Sequence, residues 1–164
     1  MKRVLALLLL TAPLVAMADS PDASFYKKAA EGGISEVEAG NLAQSKGDSQ
    51  KVKDFGAMMV KDHSAANDKL KALATSKNVT LPTTSSVGQM ATKAKLEVFT
   101  GDTFDKSYIK AQIQAHQNTV ALFRKEIASG QDSDAQAFAK ATLPTVRSHL
   151  KAINAIASNG GTTK

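Results

Sequence analysis

Cysteine is absent from all 164 residues of the chain. Its absence excludes disulfide bonds, thiolate metal sites and a lipid-anchored lipoprotein. Tryptophan is absent and there are only 2 tyrosines, so few rings are available for stacking on nucleic-acid bases. The chain also lacks a glycine-rich phosphate loop, a serine nucleophile elbow and any useful β-strand pattern. The sequence therefore carries no recognisable catalytic motif. A non-enzymatic role is favoured, although catalysis stays open.

The charge of the chain is moderately basic. Lys and Arg together number 21 against 15 Asp and Glu, which gives a net charge of +6. Because the lysines alternate with acidic residues and form no long cluster, we interpret the charge as a solvated surface. We expect no nucleic-acid partner. An unknown protein partner and the oligomeric state stay open.

The first 18 residues have the pattern of a secretory signal peptide. Two basic residues precede the apolar segment 4–15, and residues 16–18 form a small-residue cleavage signature. The apolar run is shorter than the roughly 20 residues that span a bilayer, and Pro13 interrupts it. We therefore expect export to the periplasm or the medium, with no transmembrane anchor after cleavage of the signal peptide.

Four amphipathic segments follow, each with apolar residues at helical spacing. The predicted helices cover residues 22–45, 49–77, 104–129 and 133–157. Residues 47–48 and 130–132 predict short turns, and Ser49 is the predicted N-cap of the second helix. In the third helix the predicted inner face consists of Ile109, Ile113, His116, Val120, Phe123 and Ile127. Helix 3 follows a break with an N-cap that we place at residues 101–103.

The connection between the second and third helices is long. Its segment 79–86 is rich in Pro, Thr and Ser and breaks the helical periodicity, while residues 89–99 predict a short extra helix. The fold class is therefore all-α, a four-helix bundle domain at 19–159 followed by a disordered tail at 160–164. The connection is long enough for a crossover along the bundle, but an up-down-up-down order is equally permitted.

The inner face of the first helix consists of small residues. Gly32, Gly33 and Gly40 each destabilise a helix by about 1 kcal/mol relative to Ala. Such glycines are expected where a neighbouring helix approaches closely, or where space is needed beside Glu36.

Each predicted helix carries one ionisable residue on its inner face: Glu36, His63, His116 and His149. At about 1.5 Å per residue, all four lie near the middle of their helices. Carboxylate oxygens and neutral imidazole nitrogens bind transition-metal ions such as Fe, Zn or Cu. We therefore predict a metal site of these four residues, with Glu38 and Asp62 as supporting partners or alternates. Alternatively, the buried polar residues fix the helix register of a metal-free envelope or stress-related interaction protein.

Several motifs resemble one family of exported bacterial proteins, domain of unknown function 4142. They are Gly32-Gly33-x-x-Glu36, Asp62-His63-x-x-Ala66-Asn67, Phe104-Asp105-x-x-Tyr108, Leu143-Pro144-Thr145 and His149-Leu150. The resemblance implies a ferritin-like bundle and export, and members are often labelled outer-membrane proteins. A ferritin-like fold also suggests iron chemistry. This chain nevertheless lacks the Glu-x-x-His spacing of di-iron bundles.

Overall fold

The computed structural model describes residues 21–159, which form five α-helices and no β-strand. The helices are α1 (Pro21–Lys46), α2 (Gln50–Ser76), α3 (Val87–Glu97), α4 (Gly101–Ser129) and α5 (Ser133–Ser158). The all-α prediction is confirmed. Among the described residues, no helix is long and apolar enough to cross a membrane. The predicted signal peptide and C-terminal tail lie outside the described residues.

The helix starts follow from local capping. The predicted N-cap Ser49 accepts a hydrogen bond at its side chain from the backbone N–H of Val52, as expected. Ser86 and Gln89 form a reciprocal capping box, so α3 begins at Val87, two residues earlier than predicted. The break predicted at residues 101–103 lies at residues 98–100 instead, so α4 begins at Gly101 rather than near Phe104. Gly101 adopts a φ of +56°, a backbone conformation that glycine reaches without steric strain.

Two buried aspartates define the topology. The carboxylate of Asp105, near the start of α4, accepts the backbone N–H groups of Asp48 and Ser49 at 2.9 and 2.8 Å. At the other end, Asp22 in α1 accepts those of Gln131 and Asp132 at 2.8 and 3.2 Å. The start of α4 therefore lies at the α1–α2 turn. The start of α1 lies at the α4–α5 turn.

The long connection is a crossover. α2 ends beside the α4–α5 turn, where Lys77 pairs with Asp132 at 2.9 Å, and α4 begins at the opposite end of the molecule. The chain between α2 and α4, which includes α3, therefore runs the length of the bundle. α1 packs against α2 and α4, and α5 packs against the same two helices. Of the two orders that the sequence permits, the described residues adopt the crossover.

The small-residue face of α1 lies where helices approach closely. A Cβ atom at Gly40 would come within 2.7 Å of the carbonyl oxygen of Gly56 in α2. At Gly33, a Cβ atom would lie 1.8 Å from Oδ1 of Asn67. The expected close approach is therefore confirmed at Gly33 and Gly40. It is not the reason for Gly32, where the nearest atom would be 4.0 Å away.

The apolar core has two parts, with a polar layer between them. One cluster contains Phe25, Leu70, Phe123 and Val146, and the other contains Met59, Tyr108 and Ile153, each with further residues. In α2, α4 and α5 the single histidine of each helix lies between residues of the two clusters along the chain. The three histidines are therefore held at one level by apolar packing above and below.

The buried face of α4 agrees with the predicted one at Ile109, His116 and Phe123 and departs from it elsewhere. Ile113, Val120 and Ile127 are only partly buried. Their place is taken by polar residues, namely Asp105, Gln112 and Glu126, together with Tyr108. The difference arises because hydrophobicity alone was used to locate the inner face, and it does not indicate which polar residues are buried.

Candidate metal centre

Three buried histidines from three helices meet in the polar layer. His63 in α2, His116 in α4 and His149 in α5 are 8%, 1% and 2% exposed. Their ring centroids lie 5.4–5.7 Å apart. One nitrogen from each ring lies within 4.8 Å of one from each of the others. In a tetrahedral zinc site with Zn–N bonds of 2.0–2.1 Å, ligand nitrogens are about 3.4 Å apart. Small rotations of the rings would close that difference.

A carboxylate determines the tautomer of His149. Nε2 of His149 lies 3.0 Å from Oδ2 of Asp62 in α2. A carboxylate accepts hydrogen bonds, so Nε2 carries the proton and Nδ1 keeps its lone pair. Asp62, an alternate in the sequence prediction, thus occupies the position of a partner that orients a metal-binding imidazole.

A backbone carbonyl does the same for His116. Its Nδ1 lies 2.9 Å from the carbonyl oxygen of Gln112, one turn earlier in α4. A carbonyl oxygen can only accept, so Nδ1 is the protonated nitrogen and Nε2 keeps its lone pair. The orientation of this ring is therefore set within its own helix.

One buried nitrogen in each ring has no hydrogen-bond partner. These nitrogens are Nε2 of His63, Nε2 of His116 and Nδ1 of His149. Burial lowers the pKa of His63 to about 3, and the neighbouring His116 and His149 add to this shift. Burial also lowers the pKa of His149 despite the hydrogen bond to Asp62. Both rings are therefore neutral at pH 7 and can offer lone pairs to a cation.

Glu36 lies beside the cluster rather than among its ligand atoms. Its Oε1 is 3.8 Å from Nδ1 of His116, the nitrogen already bonded to the Gln112 carbonyl. Its Oε2 is buried without a partner, and burial raises the pKa of this carboxyl group. The structure therefore brings three of the four predicted ligands together. The fourth, Glu36, lies next to Nδ1 of His116 instead.

Glu38 is held elsewhere. Its carboxylate accepts a hydrogen bond from Oγ of Ser85 at 3.3 Å and lies 3.9 Å from Nζ of Lys93 in α3. These contacts tie α1 to the crossover. None of the interactions found among the described residues joins Glu38 to the three rings.

Gln112 and Tyr108 belong to this region, although the sequence pattern did not predict it. Both are buried in α4, and Oε1 of Gln112 and the hydroxyl of Tyr108 have no hydrogen-bond partner. Gln112 precedes His116 by one helical turn, and Tyr108 precedes Gln112 by another. That spacing was the available signal, since residues one turn apart share a helix face. The ring of Phe55 in α2 also lies next to His116, with a distance of 6.3 Å between the two ring centroids.

Two solved structures share the fold. A DUF305 fragment from Deinococcus radiodurans has a TM-score of 0.75 at 10% identity, covering 85% of this chain and 96% of that chain. A DUF305 protein from Streptomyces coelicolor, described as secreted, has a TM-score of 0.71 at 16% identity, covering 90% and 98%. No curated protein matches the chain. The pattern of Domain of unknown function (DUF4142) matches residues 10–156, so the chain belongs to this family.

Proposed function

We propose that this protein is an exported helical-bundle protein that binds one transition-metal ion in its core. The ligands are Nε2 of His63, Nε2 of His116 and Nδ1 of His149. The observation that carries the proposal is the convergence of three buried rings. One nitrogen of each ring lies within 4.8 Å of one nitrogen of each of the others, and each ring has a buried nitrogen without a hydrogen-bond partner. Leaving such groups unpaired in a core is unfavourable by about 1–3 kcal/mol each. A bound cation removes that penalty.

The surroundings support the same assignment. Asp62 and the Gln112 carbonyl orient the rings of His149 and His116 through one nitrogen each, which leaves the opposite nitrogen of each ring available to the ion. Imidazole ligands suit Zn, Cu and Fe. Glu36 has a supporting role in this proposal, because its carboxylate lies against Nδ1 of His116 rather than among the three donor atoms.

The cellular location and the class of bundle are part of the proposal. A signal peptide at residues 1–18 would deliver the protein to the periplasm or the medium, and a similar structure from Streptomyces is described as secreted. Two antiparallel helix pairs joined by a crossover favour a ferritin-like bundle. The missing Glu-x-x-His motifs favour a single ion rather than a di-iron centre.

Elemental mass spectrometry of the untagged protein tests the proposal. We expect near-stoichiometric metal in the wild-type protein after incubation with Zn, Cu or Fe and removal of excess ion. His63→Ala should lose it. Met59→Ala is the matched control, because Met59 is a fully buried neighbour one turn away in α2 and its removal leaves the three histidines intact. Absence of metal in all variants, with no effect of metal on the melting temperature, would favour the metal-free interaction protein.

A further inference from the structure

We propose that the bound ion has an open coordination position, reached by small molecules of one to three heavy atoms through a groove between α1, α3 and α4. This inference rests on the proposed metal site. The ligands we assign to it are water or hydroxide and anions of the size of azide. Three features support this position: the helices that supply ligands, a cavity beside His63, and a groove that adjoins this cavity.

Three of the long helices supply a histidine, and α1 supplies none. Sites with three protein ligands characteristically keep a fourth position for water or substrate, whereas structural zinc sites use four protein ligands. Glu36, the inward carboxylate of α1, is directed to Nδ1 of His116. The phenyl ring of Phe55 covers the rings of His116 and His149, with centroids 6.3 and 6.5 Å away. The open position is therefore expected away from Phe55.

A cavity lies beside His63, on the side toward the next turn of α2. Its volume is about 30 Å³, and its lining includes Gly33, Asn67, Phe123 and Val146 together with His63. A water molecule requires roughly 10–15 Å³ of such space. The cavity can therefore hold about two waters or one linear triatomic molecule, and it excludes ligands of the size of an amino acid.

A larger groove leads to this cavity from the surface. It has a volume of about 850 Å³ and lies between α1, α3 and α4. Four residues line both the groove and the cavity, namely Lys28, Gly32, Thr119 and Leu122. The two spaces therefore adjoin at the gap between α1 and α4. Gly32 has no side chain to block the gap, and a Cβ atom there would lie 4.0 Å from its nearest neighbour, Nε2 of Gln89.

The rim of the groove favours anions over cations. Lys28, Lys93 and Lys125 line it, against Glu31 at the rim and the buried Glu36 at its floor. Lys93 is paired with Glu38 and Glu97 at 3.9 and 3.8 Å, so the positive excess at the rim comes from Lys28 and Lys125. Clefts lined by charges of one sign raise the local concentration of ligands of the other sign. Because of the positive excess at the rim, we expect small anions to enter the groove more readily than cations.

Cobalt-substituted protein and azide provide the test, because Co²⁺ reports its coordination through visible absorption bands. The wild-type Co²⁺ protein should show saturable band shifts on addition of azide. Thr142→Leu adds bulk to the cavity wall and should abolish the shifts while leaving the cobalt content unchanged; Thr142 lines the cavity, and its hydroxyl bonds only within α5 to the Phe138 carbonyl. Gly32→Leu should slow azide association by about tenfold, because a side chain must move aside. Gly32→Ala is the matched control and should bind azide at the wild-type rate.

The outcomes separate the two proposals. Failure to bind Co²⁺ stoichiometrically overturns the metal site, and the open position with it. Stoichiometric Co²⁺ with bands insensitive to saturating azide overturns the open position alone. Equal association rates in the Gly32→Leu and Gly32→Ala proteins overturn the assigned route, while a shift that persists in Thr142→Leu overturns the assigned cavity.

Discussion

Asp62 and His149 join α2 to α5 through a hydrogen bond of 3.0 Å between Oδ2 and Nε2. The side chain of Asp62 is partly exposed, whereas that of His149 is buried. The pair therefore connects the protein surface to the histidine cluster. It also selects the tautomer in which Nδ1 of His149 is free to bind an ion.

Replacing Asp62 should weaken metal binding without removing a ligand. Asp62→Asn keeps the size of the side chain but loses the charge that holds the His149 proton on Nε2. Loss of such a partner typically lowers metal affinity by about 10- to 100-fold. Competition with a chromogenic chelator measures the change. Asp68→Asn is the control, because Asp68 is an exposed carboxylate on the same helix; equal affinities for the two variants would contradict the assigned role.

The metal-free protein should lose stability at acidic pH through His63. Its pKa falls from 6.5 to about 3 on folding because the ring is buried. Between pH 6.5 and pH 3, His63 is therefore protonated in the unfolded chain but not in the folded protein. The free energy of unfolding decreases as the pH falls through this range. At pH 5 the loss from this residue is about 2 kcal/mol.

Urea unfolding with a chelator, at pH 7 and pH 5, measures this contribution. His63→Leu should lose about 2 kcal/mol less than the wild-type protein between the two pH values. The difference between the variants matters rather than either value alone, because other buried groups titrate in the same range. Identical pH dependence in both proteins would show that His63 is not neutral and buried.

Glu126 should have the opposite pH dependence. Burial raises the pKa of its carboxyl group to about 7, and its hydrogen bond with Asp22 and the charges of Asp22 and Asp132 add to the shift. Because a raised acidic pKa stabilises the folded state below pH 4.5, that contribution is lost as the pH rises through 7. Glu126→Gln should therefore increase the free energy of unfolding at pH 8 by up to about 3 kcal/mol. It should have little effect at pH 4.

Differential scanning calorimetry at the two pH values measures this effect. Glu97→Gln is the control, because Glu97 is exposed on α3 and pairs only loosely with Lys93 at 3.8 Å. A Glu126→Gln protein that is less stable than the wild type at pH 8 would mean that the ionised carboxylate is stabilising, contrary to the expected sign.

Two glycines of α1 should respond oppositely to alanine. Gly40→Ala places a Cβ atom 2.7 Å from the Gly56 carbonyl oxygen, a backbone atom that cannot move alone, and should destabilise the protein by about 1–3 kcal/mol. Gly32→Ala meets no atom closer than 4.0 Å and should stabilise it by up to about 1 kcal/mol through helix propensity. Urea midpoints measure both changes. Stabilisation by Gly40→Ala would show that α1 and α2 are not closely packed at Gly40.

The sequence predicted the helices because each carries a long apolar stripe and recognisable caps. Ser49 and the turn at residues 130–132 could be placed within a residue or two, since capping depends on neighbours along the chain. The convergence of three histidines also followed from the sequence, because equal depth on neighbouring helices depends only on helix rise.

The rest depended on contacts between distant segments. The direction of the crossover is set by hydrogen bonds of Asp105 to the α1–α2 turn, 56 and 57 residues away in the sequence. Glu36 lies 3.8 Å from Nδ1 of His116. Which ring nitrogen the Glu36 carboxylate approaches depends on how α1 is rotated about its axis relative to α4. Helical periodicity does not determine that angle. The burial of Gln112 and Tyr108 was not predicted, because whether a polar residue is buried depends on the other helices that pack around it.

X-ray absorption spectroscopy of the zinc-loaded protein most directly tests the claim that three imidazoles hold the ion. We predict three imidazole nitrogens from His63, His116 and His149 at about 2.0–2.1 Å, and one further light atom in the fourth position. His63→Ala should reduce the imidazole count or abolish binding. A coordination shell made mainly of carboxylate oxygens, or one that is the same in the wild-type and His63→Ala proteins, would contradict the account.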